Sequence, residues 1–138
     1  MSSRQNACFI VGSTALPQET ADIVKAIAST VTCGNGTTIG NVPDVTTNGS
    51  SFSDIDFSKS SSTPLQFALD KFATADPLAS TDLATFQTNL DLYQATEAGV
   101  RSEGGNLAIK APKFFLAFQV ARIMTAQGVA ITDPGQTV

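Results

Sequence analysis

The chain contains no histidine, and this absence excludes several kinds of chemistry. Histidine is the usual general base near neutral pH, the partner of serine and cysteine nucleophiles, and a frequent zinc ligand. Cys8 and Cys33 are the only cysteines, too few to build a metal site without histidine. We therefore predict a protein that is not an enzyme, with no catalytic residue, no metal site and no cofactor.

Charged residues are also few, and those present do not cluster. Lysine and arginine number 8 and aspartate and glutamate 12, which gives a net charge of −4. Phosphate binding requires clustered cations, so we expect no nucleic acid partner and no attraction to anionic membrane surfaces. No apolar run approaches the roughly 20 residues of a membrane span, so we expect no such span.

The rest of the composition is that of a globular protein. Hydrophobic residues occupy 42% of the 138 positions and charged residues 14%, a balance that favours a folded core over disorder. This length suits one domain better than two, so we predict a single domain over residues 1–138.

Cys8 and Cys33 bracket a segment with strong helical signals. Pro17 suits the first position of a helix, and apolar residues then recur at spacings of three and four. A helix over residues 17–32 would rise roughly 24 Å. Residues 8–16, if extended, would span roughly 26 Å, so an extended N-terminal arm could bring the two cysteines together.

We interpret Cys8 and Cys33 as a disulfide, with two unrelated buried thiols as the alternative. Disulfides persist in oxidising compartments, so this interpretation predicts a secreted, extracellular protein. No signal peptide is visible at Met1–Arg4, which we interpret as either a processed start or a start that is not native, so removal of a signal peptide stays an open alternative.

Two triplets match the acceptor pattern for N-linked glycans; they begin at Asn35 and Asn48. Both lie in turn-rich sequence, where a glycan would be solvated. Together with the cysteine pair, they favour a eukaryotic secretory origin, so Asn35 and Asn48 are candidate glycosylation sites.

Three further helices are indicated by capping residues and by apolar residues at spacings of three and four. The first begins at Pro64 and ends before Asp76–Pro77, the second follows the cap at Ser80–Asp82 and runs to Ser102, and the third runs from Ala111 to Gln127. A short extended stretch is predicted at Val129–Ile131. The predicted fold class is therefore mainly α, with about four helices around a Phe-rich core.

Residues 34–63 are rich in Gly, Asn, Ser, Thr and Asp, and we predict a long irregular segment there. About 30 residues is too long for an idle connection in a small domain, so the segment is expected to be ordered and to contain short extended pieces. Phe52, Ile55 and Phe57 are expected to lie on the core. Partial mobility of the segment is the alternative.

Glu97 is the most informative charge because it continues the apolar stripe of its helix. A carboxylate that faces the core is costly unless it is paired. Arg101, four residues further on, and Arg122 on the last helix are the predicted partners. The main interpretation is an ion pair that joins two helices; a polar group in a ligand cavity and a catalytic carboxylate are the alternatives.

Phenylalanine is abundant for so small a domain, with 9 residues. Most are expected in the core, and the run at Phe114–Phe118, apolar on all sides, predicts a central helix. An interior lined by Phe with a few polar groups would suit a fatty acid or sterol. The predicted pocket comprises Phe67, Phe86, Tyr93, Glu97, Phe114, Phe118 and Arg122.

Several stretches resemble small secreted proteins of filamentous fungi: Ala7–Gly12, Val42–Val45, Thr96–Arg101 and Ile109–Phe115. Some proteins of that kind act as effectors, elicitors, allergens or immunomodulators. The resemblance implies a non-enzymatic protein that acts on a host or other cell through a cell-surface protein. An extracellular carrier of an apolar small molecule is the second hypothesis.

Overall fold

A computed structural model describes residues 7–128 of the chain. Within them, the helices are α1 (Gln18–Ile27), α2 (Pro64–Lys71), α3 (Leu83–Ser102) and α4 (Lys110–Gln127). The strands are β1 (Thr32–Thr37), β2 (Pro43–Thr47) and β3 (Ser50–Ser51), and short 3-10 helices lie at Phe52–Asp54, Phe57–Lys59 and Leu78–Ser80. The predictions for Met1–Arg4 and Val129–Ile131 lie outside the described residues.

The four predicted helices are confirmed, and local sequence explains where two of them begin and end. At the start of α2, Thr63 Oγ1 accepts a hydrogen bond from Gln66 N (3.2 Å), and Pro64 takes the first helical position. Gly128 ends α4 with a φ of 75°, the left-handed conformation that glycine adopts without steric cost.

The short extended pieces expected within residues 34–63 are confirmed, but the segment is less irregular than predicted because these pieces pair as strands. Strands β1, β2 and β3 form an antiparallel sheet in that order. Thr47 pairs with Ser50 across a two-residue turn, in which Asn48 and Gly49 both have positive φ angles of 52° and 78°. An Asn-Gly pair is the sequence that such a tight hairpin turn favours. The fold is therefore a mixture of α and β structure rather than purely helical.

Helix α1 is shorter than predicted, because it ends at Ile27 and the chain then turns into β1. The β-branched run Thr30–Thr32 favours an extended backbone over a helix. Cys33 consequently lies in β1, opposite Val45 of β2, and not at a helix end.

Helix α3 lies at the centre of the structure and contacts α1, α4 and β2. The N-terminal arm, residues 7–16, is held on its C-terminal end. Gly12 N donates to Ser102 Oγ (3.0 Å), and Thr14 N donates to the Ser102 carbonyl (2.7 Å). The matched lengths of the arm and the first helix gave no sign that the arm is hydrogen-bonded to α3.

Close packing onto α3 requires a residue without a side chain at Gly99. A Cβ atom there would lie 2.6 Å from the Phe9 carbonyl oxygen and 2.7 Å from Cγ1 of Val42. The arm and the loop before β2 therefore rest directly on the α3 backbone. Phe9 and Val42 are both fully buried at this contact.

An aromatic cluster around Tyr93 fills the other side of α3. Its ring centroid lies 4.8 Å from that of Phe52, 5.9 Å from Phe72 and 6.3 Å from Phe57. Ile55 is also buried, so the prediction that Phe52, Ile55 and Phe57 lie on the core is confirmed. Such tilted and edge-on ring pairs stabilise a core beyond their buried area.

The Cys8–Cys33 disulfide is confirmed, with a Cα–Cα distance of 6.2 Å. It joins the arm to β1 and closes a loop across a sequence separation of 25. Since the arm is also bonded to α3, the disulfide connects the sheet, the arm and the central helix.

Replacing both cysteines, as Cys8→Ser/Cys33→Ser, should lower the free energy of unfolding by about 3.5 kcal/mol, because the unfolded chain regains the freedom that the closed loop removes. Urea unfolding followed by circular dichroism measures the change. Reduced wild-type protein should behave like the variant. A variant as stable as the oxidised wild type would contradict the prediction.

Gly99→Ala should destabilise the protein by about 1–3 kcal/mol, because the new methyl group displaces the arm or β2 from α3. Gly36→Ala is the matched control, since a Cβ at Gly36 would meet nothing within 4 Å. Thermal or urea unfolding of both variants makes the comparison. Equal stability of the two variants would show that α3 can accept a side chain at this contact.

Candidate functional site

The seven predicted pocket residues do not come together in one cavity. Phe67, Phe86 and Tyr93 pack in or against the core, Glu97 belongs to a buried charge cluster, and Phe114, Phe118 and Arg122 lie on the outer side of α4.

The hydroxyl of Tyr93 is hydrogen-bonded to the backbone of the segment that follows β3. It donates to the Ile55 carbonyl (2.5 Å) and accepts a hydrogen bond from Phe57 N (3.2 Å). Burial raises the pKa of the Tyr93 phenol, and the Asp56 charge adds to that rise, while the hydrogen bond from Phe57 N opposes it. The phenol therefore stays neutral and anchors the 3-10 turns that follow β3.

Glu97 forms the predicted ion pair with Arg101, whose Nε lies 2.8 Å from Glu97 Oε2. The predicted partnership with Arg122 is wrong, and Lys113 takes that place with its Nζ 3.3 Å from Glu97 Oε1. Arg122 instead donates to Gln119 Oε1 (2.5 Å) on its own helix. The ion pair thus joins α3 to α4, with a different residue of α4 than expected.

Sequence reasoning missed Lys113, although its position carried a signal. Leu116, Ala117 and Val120 follow it at spacings of three, four and seven, and all are buried. These spacings place Lys113 on the same helical face, which points to the core. An isolated lysine on that face requires a buried carboxylate, and Glu97 supplies it.

Helix α4 has neighbours on several sides, as predicted, since it contacts α2, α3 and the 3-10 helix at Leu78–Ser80, but two of its phenylalanines lie outside these contacts. Phe114 is 50% exposed and Phe118 is 58% exposed. Lys113 Nζ lies 4.3 Å and Lys110 Nζ 5.7 Å from the centre of the Phe114 ring, and Arg122 Cζ lies 5.7 Å from that of Phe118. Cations at such distances are attracted to the face of an aromatic ring.

We call Lys110, Phe114, Phe118 and Arg122 the outer strip of α4. These residues recur every four positions, so they follow one another along a single side of the helix. Helix α4 contains three basic residues and no acidic residue, in a chain whose net charge is −4. The outer strip is therefore an apolar centre with a cation at each end.

An open groove borders the outer strip where α4 passes the 3-10 helix at Leu78. Its volume is about 490 Å³. The groove is lined by Leu78, Phe118, Ala121, Arg122, Thr125 and Ala126. The apolar walls and the single guanidinium distinguish it from the enclosed cavity expected near Phe114 and Phe118.

Both candidate glycosylation sites are exposed. Asn35 lies in β1, and its side-chain amide makes no hydrogen bond within residues 7–128. Asn48 Nδ2, the atom that would carry a glycan, donates to Thr88 Oγ1 (3.0 Å) on α3. Asn35 is therefore the less constrained acceptor, and glycosylation of either residue stays a prediction.

Across residues 7–128, no cluster of metal-ligating side chains is present. No helix in that part of the chain has both the length and the apolarity needed to cross a membrane.

Comparison with known proteins gives a family and no function. The family described as Domain of unknown function (DUF7143) matches residues 10–138. No curated protein and no solved structure matches the chain.

Tyr93 is the only tyrosine, and the chain has no tryptophan, so absorbance of the ionised phenol reports this residue alone. Because the folded-state pKa is raised above the unfolded value of about 10, the stability that Tyr93 contributes is full below about pH 10 and is lost as the pH rises towards the folded-state value. Tyrosinate absorbance should therefore appear together with unfolding. Protein unfolded in guanidinium is the control and should titrate near pH 10. Ionisation near that pH in a still-folded protein would contradict the prediction.

Proposed function

The chain belongs to the DUF7143 family, and we propose that it is a small secreted fungal protein, non-enzymatic and of the effector, elicitor or immunomodulator type. In this proposal it binds a host or other cell-surface protein through the outer strip of α4. The observation that carries the proposal is the exposure of Phe114 and Phe118 between Lys110 and Arg122.

Exposed aromatic residues beside arginine are typical of the centre of a protein interface. Two half-exposed phenylalanines one helical turn apart provide an apolar anchor, and the flanking cations favour a partner with carboxylates around an apolar depression. The surplus of positive charge on α4 would orient an otherwise acidic protein towards that partner.

The buried carboxylates support a non-enzymatic role because both serve the fold. Glu97 is paired with Arg101 and Lys113. Asp56 Oδ1 accepts hydrogen bonds from Ser58 N (2.9 Å) and Ser58 Oγ (2.6 Å) at the start of a 3-10 turn. Neither carboxylate lines the groove beside α4.

Secretion is supported by the disulfide and by the exposed acceptor at Asn35. Disulfides are rare in reducing compartments and form and persist mainly in oxidising environments, such as the extracellular space. The resemblance to small secreted fungal proteins agrees with that environment.

Labelled protein should bind saturably to intact cells from a panel of plant, animal and fungal sources. Phe114→Ser/Phe118→Ser should weaken this binding at least about tenfold, since each anchor of an interface contributes more than about 1 kcal/mol. Leu65→Ser/Leu69→Ser is the matched control, because Leu65 and Leu69 are 51% and 47% exposed at the same spacing on α2. Both variants are checked for folding by circular dichroism.

Removal of cell-surface proteins by protease should abolish the binding, and protein-free vesicles of phosphatidylserine and phosphatidylcholine should bind weakly. No saturable binding to any cell of the panel would refute the proposal. Equal loss of binding in both double variants would refute the role of α4. Tight binding to the vesicles would show that the partner is a lipid surface and not a protein.

The groove favours a second candidate function, an extracellular carrier of an apolar small molecule. Its volume of about 490 Å³ lies within the range of ligand sites, and Arg122 could pair with the carboxylate of a fatty acid. Native mass spectrometry should then reveal co-purified lipid. The wild-type protein should bind a fluorescent fatty acid. Ala126→Phe, which fills the groove and keeps Phe118, should abolish that binding. Purified protein that carries no lipid and binds no fluorescent fatty acid would exclude this function.

A further inference from the structure

A second cleft lies between the N-terminal arm and the C-terminal end of α3. Its volume is about 290 Å³. Its walls include Thr14, Ala15, Pro17, Arg101, Gly104 and Leu107. It shares no residue with the outer strip of α4 or with the groove beside it, so it is independent of the proposed function.

The charge cluster behind this cleft is not neutral. Glu97 contributes one negative charge, whereas Arg101 and Lys113 contribute two positive charges. Glu97 and Lys113 are buried, with side-chain exposures of 6% and 9%, while the Arg101 side chain is 19% exposed. The surplus positive charge therefore reaches solvent mainly through Arg101, which lines the cleft.

Arg101 has hydrogen-bond donors that are not used within residues 7–128. Its Nε donates to Glu97, and within residues 7–128 its two Nη atoms make no hydrogen bond to the protein. A guanidinium presents its donors as a planar fork that matches the two oxygens of a carboxylate. The bond from Nε to Glu97 orients the guanidinium of Arg101 and leaves its Nη atoms available to a ligand.

The remaining walls indicate the rest of the ligand. Ala15, Pro17 and Leu107 are apolar, and the Thr14 hydroxyl is the polar side chain nearest to Gly104, 3.4 Å from the position of a Cβ there. The amides of Gly104 and Gly105 donate to the Arg101 and Val100 carbonyls, so they are not free to bind an anion. Recognition of a negative charge therefore depends on Arg101, with Thr14 as the second polar group.

We propose that this cleft binds a small carboxylic acid with an apolar tail, whose carboxylate pairs with the Nη atoms of Arg101 while the tail lies against Ala15, Pro17 and Leu107. The volume is at the lower end of the range for ligand sites, about 300–1,000 Å³, which favours a compact acid over a long-chain lipid. One surplus positive charge matches a monocarboxylate better than a phosphate dianion.

Benzoate is a suitable probe, and benzamide is its neutral counterpart of nearly the same shape. In amide-resolved NMR titrations, benzoate should shift the signals of Thr14, Gly104 and Leu107 saturably. Benzamide should bind at least about tenfold more weakly, because it lacks the charge that strengthens hydrogen bonds to arginine. Inorganic phosphate should bind more weakly than benzoate because it has no apolar group for the cleft.

Two variants test the cleft separately from the charge cluster. Arg101→Gln should abolish benzoate binding, and Glu97 keeps Lys113 as a partner in that variant. Ala15→Phe should also abolish it by filling the cleft, and it leaves every charge in place. Ala26→Phe is the matched control, since Ala26 is exposed on α1 and does not line the cleft. Circular dichroism establishes that each variant is folded.

Loss of benzoate binding in folded Ala15→Phe protein, with binding retained in Ala26→Phe, would support the proposal. Wild-type protein that shows no saturable shifts would overturn it. Binding by Ala15→Phe at wild-type strength would place the ligand elsewhere, and equal binding of phosphate or benzamide would overturn its assignment as an apolar carboxylic acid.

Discussion

The direct contact of the arm and the loop before β2 with the backbone of α3 is the constraint on which the rest of the structure depends. It is possible because Ala95, Gly99 and Ser102 present a face of small residues on one side of the helix. Ser102 then uses both its hydroxyl and its carbonyl to hold the arm. The disulfide ties the same arm to β1, so sheet, arm and helix form one packed unit.

Because α3 is enclosed in this way, its polar residues must find partners inside the protein. Glu97 is the clearest case, and Lys113 reaches it from α4. Lys113 lies on the same face of α4 as the buried residues Leu116 and Val120, and this face as a whole turns towards the core. Phe114 and Phe118 lie on the opposite side and are exposed. The outer strip therefore follows from the burial of the apolar face together with the charge pair.

How much could be predicted from the sequence depended on whether the signal was local. The ends of α2 and α4 follow from a threonine cap, a proline and a terminal glycine. Asn48-Gly49 is an equally local signal for a turn, but the pair alone does not show that the residues on either side of it form the strands of a hairpin. The apolar run of α4 indicated a helix with neighbours on several sides, as the structure has it, but such a run does not show which of its residues stay uncovered, here Phe114 and Phe118.

The sequence by itself determined the four α-helices of residues 7–128, the disulfide and the pairing of Glu97 with Arg101, because each depends on local spacing or on the absence of any other partner. Only the tertiary structure decided that Lys113 completes the charge cluster, that Phe114 and Phe118 lie outside, and that a cleft forms beside Arg101. Those features depend on how α3, α4 and the arm are rotated against each other. That rotation is set by the close approach at Gly99 and by the cost of burying an unpaired charge.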